Sequence, residues 1–117
     1  PPMPHLIGLP TSRFAVTDGG PRASVTNRED FRSASPHAGS IPALVYGSLP
    51  DSVRVGTPLA IAVNGQIGAV VPALPQVGEV PRFAGLVADP TLFQPGGNLV
   101  ELFEITDGGK GLRRFRL

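Results

Sequence analysis

An all-β sandwich is the fold class this sequence predicts, and three observations carry the prediction. Fourteen prolines and fifteen glycines punctuate 117 residues. They leave little room for long helices, in whose interior a proline costs about 3 kcal/mol. Between these breakers stand short apolar runs bounded by turn signals such as Pro50-Asp51, Pro95-Gly96 and Asp107-Gly108. One such signal, Asn64-Gly65, joins two apolar runs in the stretch AIAVNGQIGAVV, Ala60 to Val71. Asn-Gly tolerates positive φ at both central positions of a type I′ turn and is the strongest short hairpin signal.

Residues 1–40 carry little pattern. His5–Leu9 and Arg13–Val16 read as short extended pieces, and Asn27–Phe31 as one helical turn. The rest is a connecting or covering segment rich in Ser, Thr, Gly, Asp and Arg, with a boundary placed near its end. The sandwich then occupies residues 41–117. Its first strand puts Ile41, Ala43, Val45 and Leu49 on one face and Leu44 and Tyr46 on the other. The hairpin follows, and a two-residue turn sets Val63 opposite Gln66, Ile61 opposite Gly68 and Leu59 opposite Val70. The opposite face carries Ala60, Ala62, Ile67, Ala69 and Val71. Both hairpin faces are therefore apolar, whereas a strand with a solvated back alternates with polar residues. The alanine-rich face is expected to lie under a covering segment such as residues 1–40 or against a partner, and those five residues are the candidate interface.

Phe83–Ala88 forms the next strand. Asp89 is a good helix N-cap with Pro90 at the first helical position, so Thr91–Gln94 is expected to make one turn. Leu99–Ile105 is a strand in which adjacent Leu102 and Phe103 break the alternation, which implies a bulge or burial on both sides. Leu112–Leu117 closes the chain. About six or seven short strands, with turns every 8–12 residues or so, point to a sandwich of immunoglobulin type. Phe14-Ala15-Val16-Thr17-Asp18-Gly19-Gly20 echoes Phe103-Glu104-Ile105-Thr106-Asp107-Gly108-Gly109, but the flanking residues differ and a shared strand-then-turn grammar accounts for it.

Composition narrows the function classes. The net charge is +1, with both signs spread along most of the chain, which is not the footprint of a nucleic-acid binder. The basic cluster Arg113, Arg114 and Arg116 reads as a domain end or a solvated strand face. Cysteine is absent, which removes disulfides and thiolate chemistry. No apolar run reaches the roughly 18 residues of a membrane span, and no signal-peptide pattern opens the chain. Its start, Pro-Pro-Met-Pro, reads as a domain taken from a longer protein.

No catalytic, cofactor or metal site is predicted. A nucleophilic triad needs a histidine base held by a carboxylate, and only His5 and His37 are present, both beside prolines in the weakly patterned third. No cluster of ligands has zinc spacing. Glu101 and Glu104 lie three apart on a strand and so face opposite ways, against a shared acid/base site. Gly108-Gly109-Lys110-Gly111 lacks the spacing and the hydroxyl residue of a phosphate-binding P-loop.

A resemblance takes the reading further. Ile41-Pro42-Ala43-Leu44-Val45-Tyr46-Gly47, Ile61-Ala62-Val63-Asn64-Gly65-Gln66-Ile67-Gly68-Ala69, Arg82-Phe83-Ala84-Gly85-Leu86-Val87 and Pro95-Gly96-Gly97-Asn98-Leu99-Val100-Glu101-Leu102-Phe103 occur in that order. Together they resemble a region outside the catalytic domain of actinobacterial membrane proteins of the sulfatase-like (alkaline phosphatase superfamily) group. It covers residues 41–105 well and 1–40 loosely, and departs at Asp89-Pro90, where the pattern has proline first. The resemblance implies a noncatalytic accessory module at the extracytoplasmic face of the membrane, packed against the catalytic domain of the same chain or a cell-envelope component. The parent enzyme's metal ligands and nucleophile would lie in the other domain. Two further readings stand beside it. One is a glycan- or protein-binding envelope module using the loops around Asn64-Gly65 and Leu74–Val80. The other is a self-associating, adhesin-like domain using its edge strands.

Overall fold

The apolar runs do become strands, and they assemble into two sheets. The structure, a computed structural model, describes residues 3–32 and 43–117. Its strands are β1 (Ala15–Thr17), β2 (Ser24–Val25), β3 (Ala43–Ser48), β4 (Pro58–Val63), β5 (Gln66–Pro72), β6 (Phe83–Val87), β7 (Val100–Thr106) and β8 (Gly111–Arg114). One sheet has the order β1-β8-β7-β4-β5 and the other β2-β3-β6. Between these strands every pairing is antiparallel except β1 on β8. Helical structure among the described residues is limited to 3-10 turns, the longest being Arg28–Phe31.

Two apolar layers result, one on each side of the five-stranded sheet. Between the sheets, Val45, Phe83 and Val87 join Leu59, Ile61, Val63, Val100 and Leu102 in one buried cluster. On the outer face, Ala60, Ala62, Ile67, Val70, Phe103, Ile105 and Leu112 form a second cluster closed by Leu6, with Met3, Leu9 and Phe14 packed against it. Each fully buried large side chain in these layers contributes about 1.5–3 kcal/mol. The central sheet is thus covered on both faces, which explains the apolar neighbours Leu102 and Phe103. Leu102 faces the sheet interface and Phe103 the outer layer, and β7 keeps an unbroken register against β4.

The hairpin register differs from the expected one. Val63 opposes Gln66 and Ala62 opposes Ile67, but Ile61 then opposes Ala69 and Leu59 opposes Val71. Gly68 is the extra residue of a β-bulge. A Cβ at Gly68 would lie 2.8 Å from a Val87 methyl, so glycine lets β5 pass close to β6. The bulge also exchanges the faces of the residues that follow. Ala69 joins the cluster between the sheets with Val71 packed against it, and Val70 turns outward.

Residues 3–25 contribute more than the expected covering segment. His5–Leu9, expected to be extended, begins as a 3-10 turn at Pro4–Leu6, where Pro4 pre-sets the φ of the first position. This stretch lies over the alanine-rich face and hydrogen-bonds the rim of β5: Gly8 N donates to Ile67 O at 2.7 Å, and Ile67 N to Leu9 O at 2.9 Å. The chain then runs beside β8, where Gly20 N donates to Arg114 O at 3.0 Å and Ala23 N to Arg116 O at 2.8 Å. It finally crosses to the other sheet as β2. There the main chain of Ser24 passes so close to Gly47 that a Cβ on Gly47 would sit 1.8 Å from Ser24 O. Residues before the expected boundary at 40 therefore supply an edge strand to each sheet, and that boundary itself lies outside the described residues.

Candidate functional site

The five candidate interface residues are not brought together on one surface. Ala60, Ala62 and Ile67 are fully buried beneath Leu6 and its neighbours, while Ala69 and Val71 face the other sheet. A covering segment of the same chain occupies the alanine-rich face, and small side chains at Ala60 and Ala62 let that segment approach closely.

The polar residues of the loops beside these strands act on the backbone. Asn64, at φ 50°, occupies the first central position of the hairpin turn with a left-handed backbone that asparagine tolerates better than most residues. Its Nδ2 donates to Leu92 O at 3.0 Å, and its Oδ1 accepts from Leu99 N at 3.0 Å. Asn98 Oδ1 accepts from Gln94 N at 2.8 Å, while its Nδ2 reaches Gln94 O at 3.0 Å, Gly96 O at 3.2 Å and Phe31 O at 3.2 Å. The Phe31 ring stacks on Phe93 with centroids 5.7 Å apart. Arg82 is 4% exposed, and its guanidinium donates to three main-chain carbonyls: Leu74 at 2.8 Å, Pro50 at 3.0 Å and Val53 at 3.0 Å. Such charge-assisted bonds offset part of the cost of burying the cation. Nothing local in the sequence marks that arginine as buried.

The acidic residues of β7 are held apart. Glu104 lies on the inner face and accepts from Arg113 Nη2 at 2.5 Å and Nε at 3.0 Å. Glu101 lies on the outer face and accepts from Arg114 Nε at 2.9 Å. Arg114 also donates to Asp18 and lies over the Phe103 ring, 5.3 Å from its centroid. The hydrogen bond to Asp18, reinforced by Glu101, holds the Arg114 pKa above its ordinary value against the effect of burial. Asp89 caps its turn as expected, accepting from Thr91 N at 2.9 Å and Thr91 Oγ1 at 2.7 Å. The hydroxyl first, and the N–H second, hold its carboxyl below the usual range. His5 is exposed on its turn, and His37 lies outside the described residues. Among the described residues, no three His, Asp or Glu side chains gather in a metal-binding group, and no helix is long and apolar enough to cross a membrane.

Two grooves among the described residues lie along the margin of the five-stranded sheet. A groove of about 660 Å³ runs between β8 and the β3–β4 connection, with Arg54, Arg113 and Arg116 around the Gly19-Gly20 main chain. A second groove of about 560 Å³ is lined by Arg22, Arg28, Arg114 and Arg116. Arg116 and Gly19 belong to both. The arginine run near the end of the sequence lies, as expected, on a half-exposed strand face, where Arg113 and Arg114 are ion-paired and all three arginines line grooves.

Comparisons with protein-family models, with curated proteins and with solved structures give no match.

Proposed function

We propose that this chain is an immunoglobulin-like sandwich acting as a noncatalytic accessory module of a larger extracytoplasmic, membrane-anchored sulfatase-like hydrolase. In that role it packs against the catalytic domain or the cell envelope. Strand order supports the fold part of this reading. β2-β3-β6 corresponds to strands A, B and E of the immunoglobulin plan, and β8-β7-β4-β5 to G, F, C and C′. Antibody domains place a disulfide between strands B and F beside a tryptophan on strand C. Here Val45, Leu102 and Ile61, on the equivalent strands, share one apolar cluster.

The observation that carries the noncatalytic part is where the motif side chains go. Asn64, Asn98 and Arg82, which stand in the stretches that carry the family resemblance, all bind loop backbone. Glu101 and Glu104 are each held by an arginine on opposite faces. Side chains used in this way suit a scaffold, with turns and connections locked in register.

The coding sequence flanking these residues tests the placement: it should encode a sulfatase-type nucleophile and metal-ligand motif, and a flanking region without one overturns the assignment. The noncatalytic part is tested by assaying this chain on aryl sulfates and phosphodiesters. No turnover is expected. Turnover that disappears in Glu104→Gln would overturn the reading.

A further inference from the structure

The two arginine-lined grooves meet at Arg116, and we propose that they form one binding site for a linear polyanion bearing phosphate or sulfate groups. The first support is charge placement. The residues lining the two grooves include six arginines and three carboxylates, a net charge of +3, while the whole chain carries +1. The remainder of the molecule is therefore at −2, and positive potential is concentrated on this margin.

The second support is the pairing pattern. The three carboxylates are already engaged, Glu104 by Arg113 and both Glu101 and Asp18 by Arg114. Arg22, Arg28, Arg54 and Arg116 have no carboxylate partner among the described residues. Arg22 and Arg116 are moreover Cα partners in a parallel bridge. Like charges at directly paired positions destabilise a sheet. A bound oxyanion turns that repulsion into attraction, because the planar guanidinium fork matches phosphate and sulfate oxygens in a bidentate manner. The Ser52 and Thr57 hydroxyls on the first groove can add donors.

The shape selects among anions. Two open grooves sharing one arginine suit an extended ligand with repeated charges better than a single small ion. Among the described residues, Phe115 is the only aromatic residue lining either groove, and at 2% exposed it offers no ring to stack on a nucleobase. This favours a base-free polyanion over single-stranded nucleic acid. The inference is independent of the accessory-module reading, since it concerns this chain's own surface.

Calorimetric titration of the 117-residue chain with sodium tripolyphosphate and, separately, with dextran sulfate tests the proposal and distinguishes the phosphate and sulfate sources. Saturable binding of at least one is expected, weakening steeply with added salt. Arg116→Gln should weaken it on the order of tenfold, and Arg54→Gln severalfold. Arg13→Gln, outside both grooves, should leave it unchanged. Arg116 joins the sheet through its main chain, its N–H donating to Pro21 O at 3.1 Å. The substitution should therefore not lower the thermal midpoint, which serves as the folding control, and removing the like-charge pair with Arg22 should if anything raise it. Absence of saturable binding to both polyanions at low salt overturns the proposal. So does equal weakening by Arg13→Gln and Arg116→Gln, or a single-stranded oligonucleotide binding more tightly than either polyanion.

Discussion

Asn64 donates through Nδ2 to the Oδ1 of Asn98 at 2.8 Å, and that bond joins the β4–β5 turn to the β6–β7 connection. Glycine accepts the φ of 50° at position 64, so Asn64→Gly keeps the turn and deletes only the side-chain bonds. We expect it to lower the unfolding free energy by about 1–3 kcal/mol in urea titration. A double-mutant cycle with Asn98→Ala should give a coupling of about 0.5–3 kcal/mol. Strict additivity would mean that the two amides stabilise their loops independently.

Arg82 ties three separate stretches of backbone together, and a lysine ammonium on a flexible stem cannot reproduce its planar fork. Arg82→Lys should therefore destabilise the protein by about 2–4 kcal/mol, since buried carbonyls lose their donors. Hydrogen exchange should speed up at the Val53 amide, whose turn lies between two of those carbonyls. A loss below about 0.5 kcal/mol, within the range of surface substitutions, would show that water replaces the guanidinium.

The outer layer depends on Leu6, which is 3% exposed and closes the cluster over Ala60 and Ile67. Leu6→Ala should cost about 2–4 kcal/mol and expose the alanine-rich face to a hydrophobic dye. Val16→Ala on exposed β1 should stay within about 0.5 kcal/mol. Equal effects at the two positions would refute the covering role of Leu6.

Asp89 gives a pH dependence whose sign follows from its depressed pKa. Its folded-state value lies below the unfolded one. The carboxylate therefore stabilises the fold above the ordinary aspartate range, and the contribution fades as pH falls through the depressed value. Thr91→Val removes the larger cause, the hydroxyl bond. A carboxyl NMR titration should then place Asp89 closer to its ordinary pKa, with a shallower acid dependence of stability. An unchanged titration would assign the shift to another group.

Local chemistry made part of this architecture legible. The Asn64-Gly65 turn and the Asp89-Pro90 cap depend on residues within a few positions of each other, and both stand where the sequence predicts. The double apolar face of the hairpin likewise announced a sheet covered on both sides. The bulge at Gly68 was hidden because Gln66 to Val71 alternates as plausibly with an extra residue as without one; only the fit against Val87 selects it. β2 was hidden for another reason, whereas β1 overlaps the extended piece read at Arg13–Val16. Both strands are short and largely exposed, and partners far along the chain make them strands. The burial of Arg82 and the placing of Arg116 on a groove with Arg54 and on another with Arg22 are equally non-local, since each requires knowing which loops meet.

The parallel alignment of β1 with β8 bears on mechanical load. Ala15, Val16 and Thr17 pair with Gly111, Leu112 and Arg113 in the same direction. Tension entering β1 from its N-terminal side and β8 from its C-terminal side pulls the two strands along their length in opposite directions. The ladder is then loaded in shear, and its hydrogen bonds must yield together rather than unzip one at a time. A domain loaded through these two strands would meet that resistance once the outlying bonds, Gly8 and Leu9 to Ile67 on one side and Arg116 to Pro21 and Ala23 on the other, had parted.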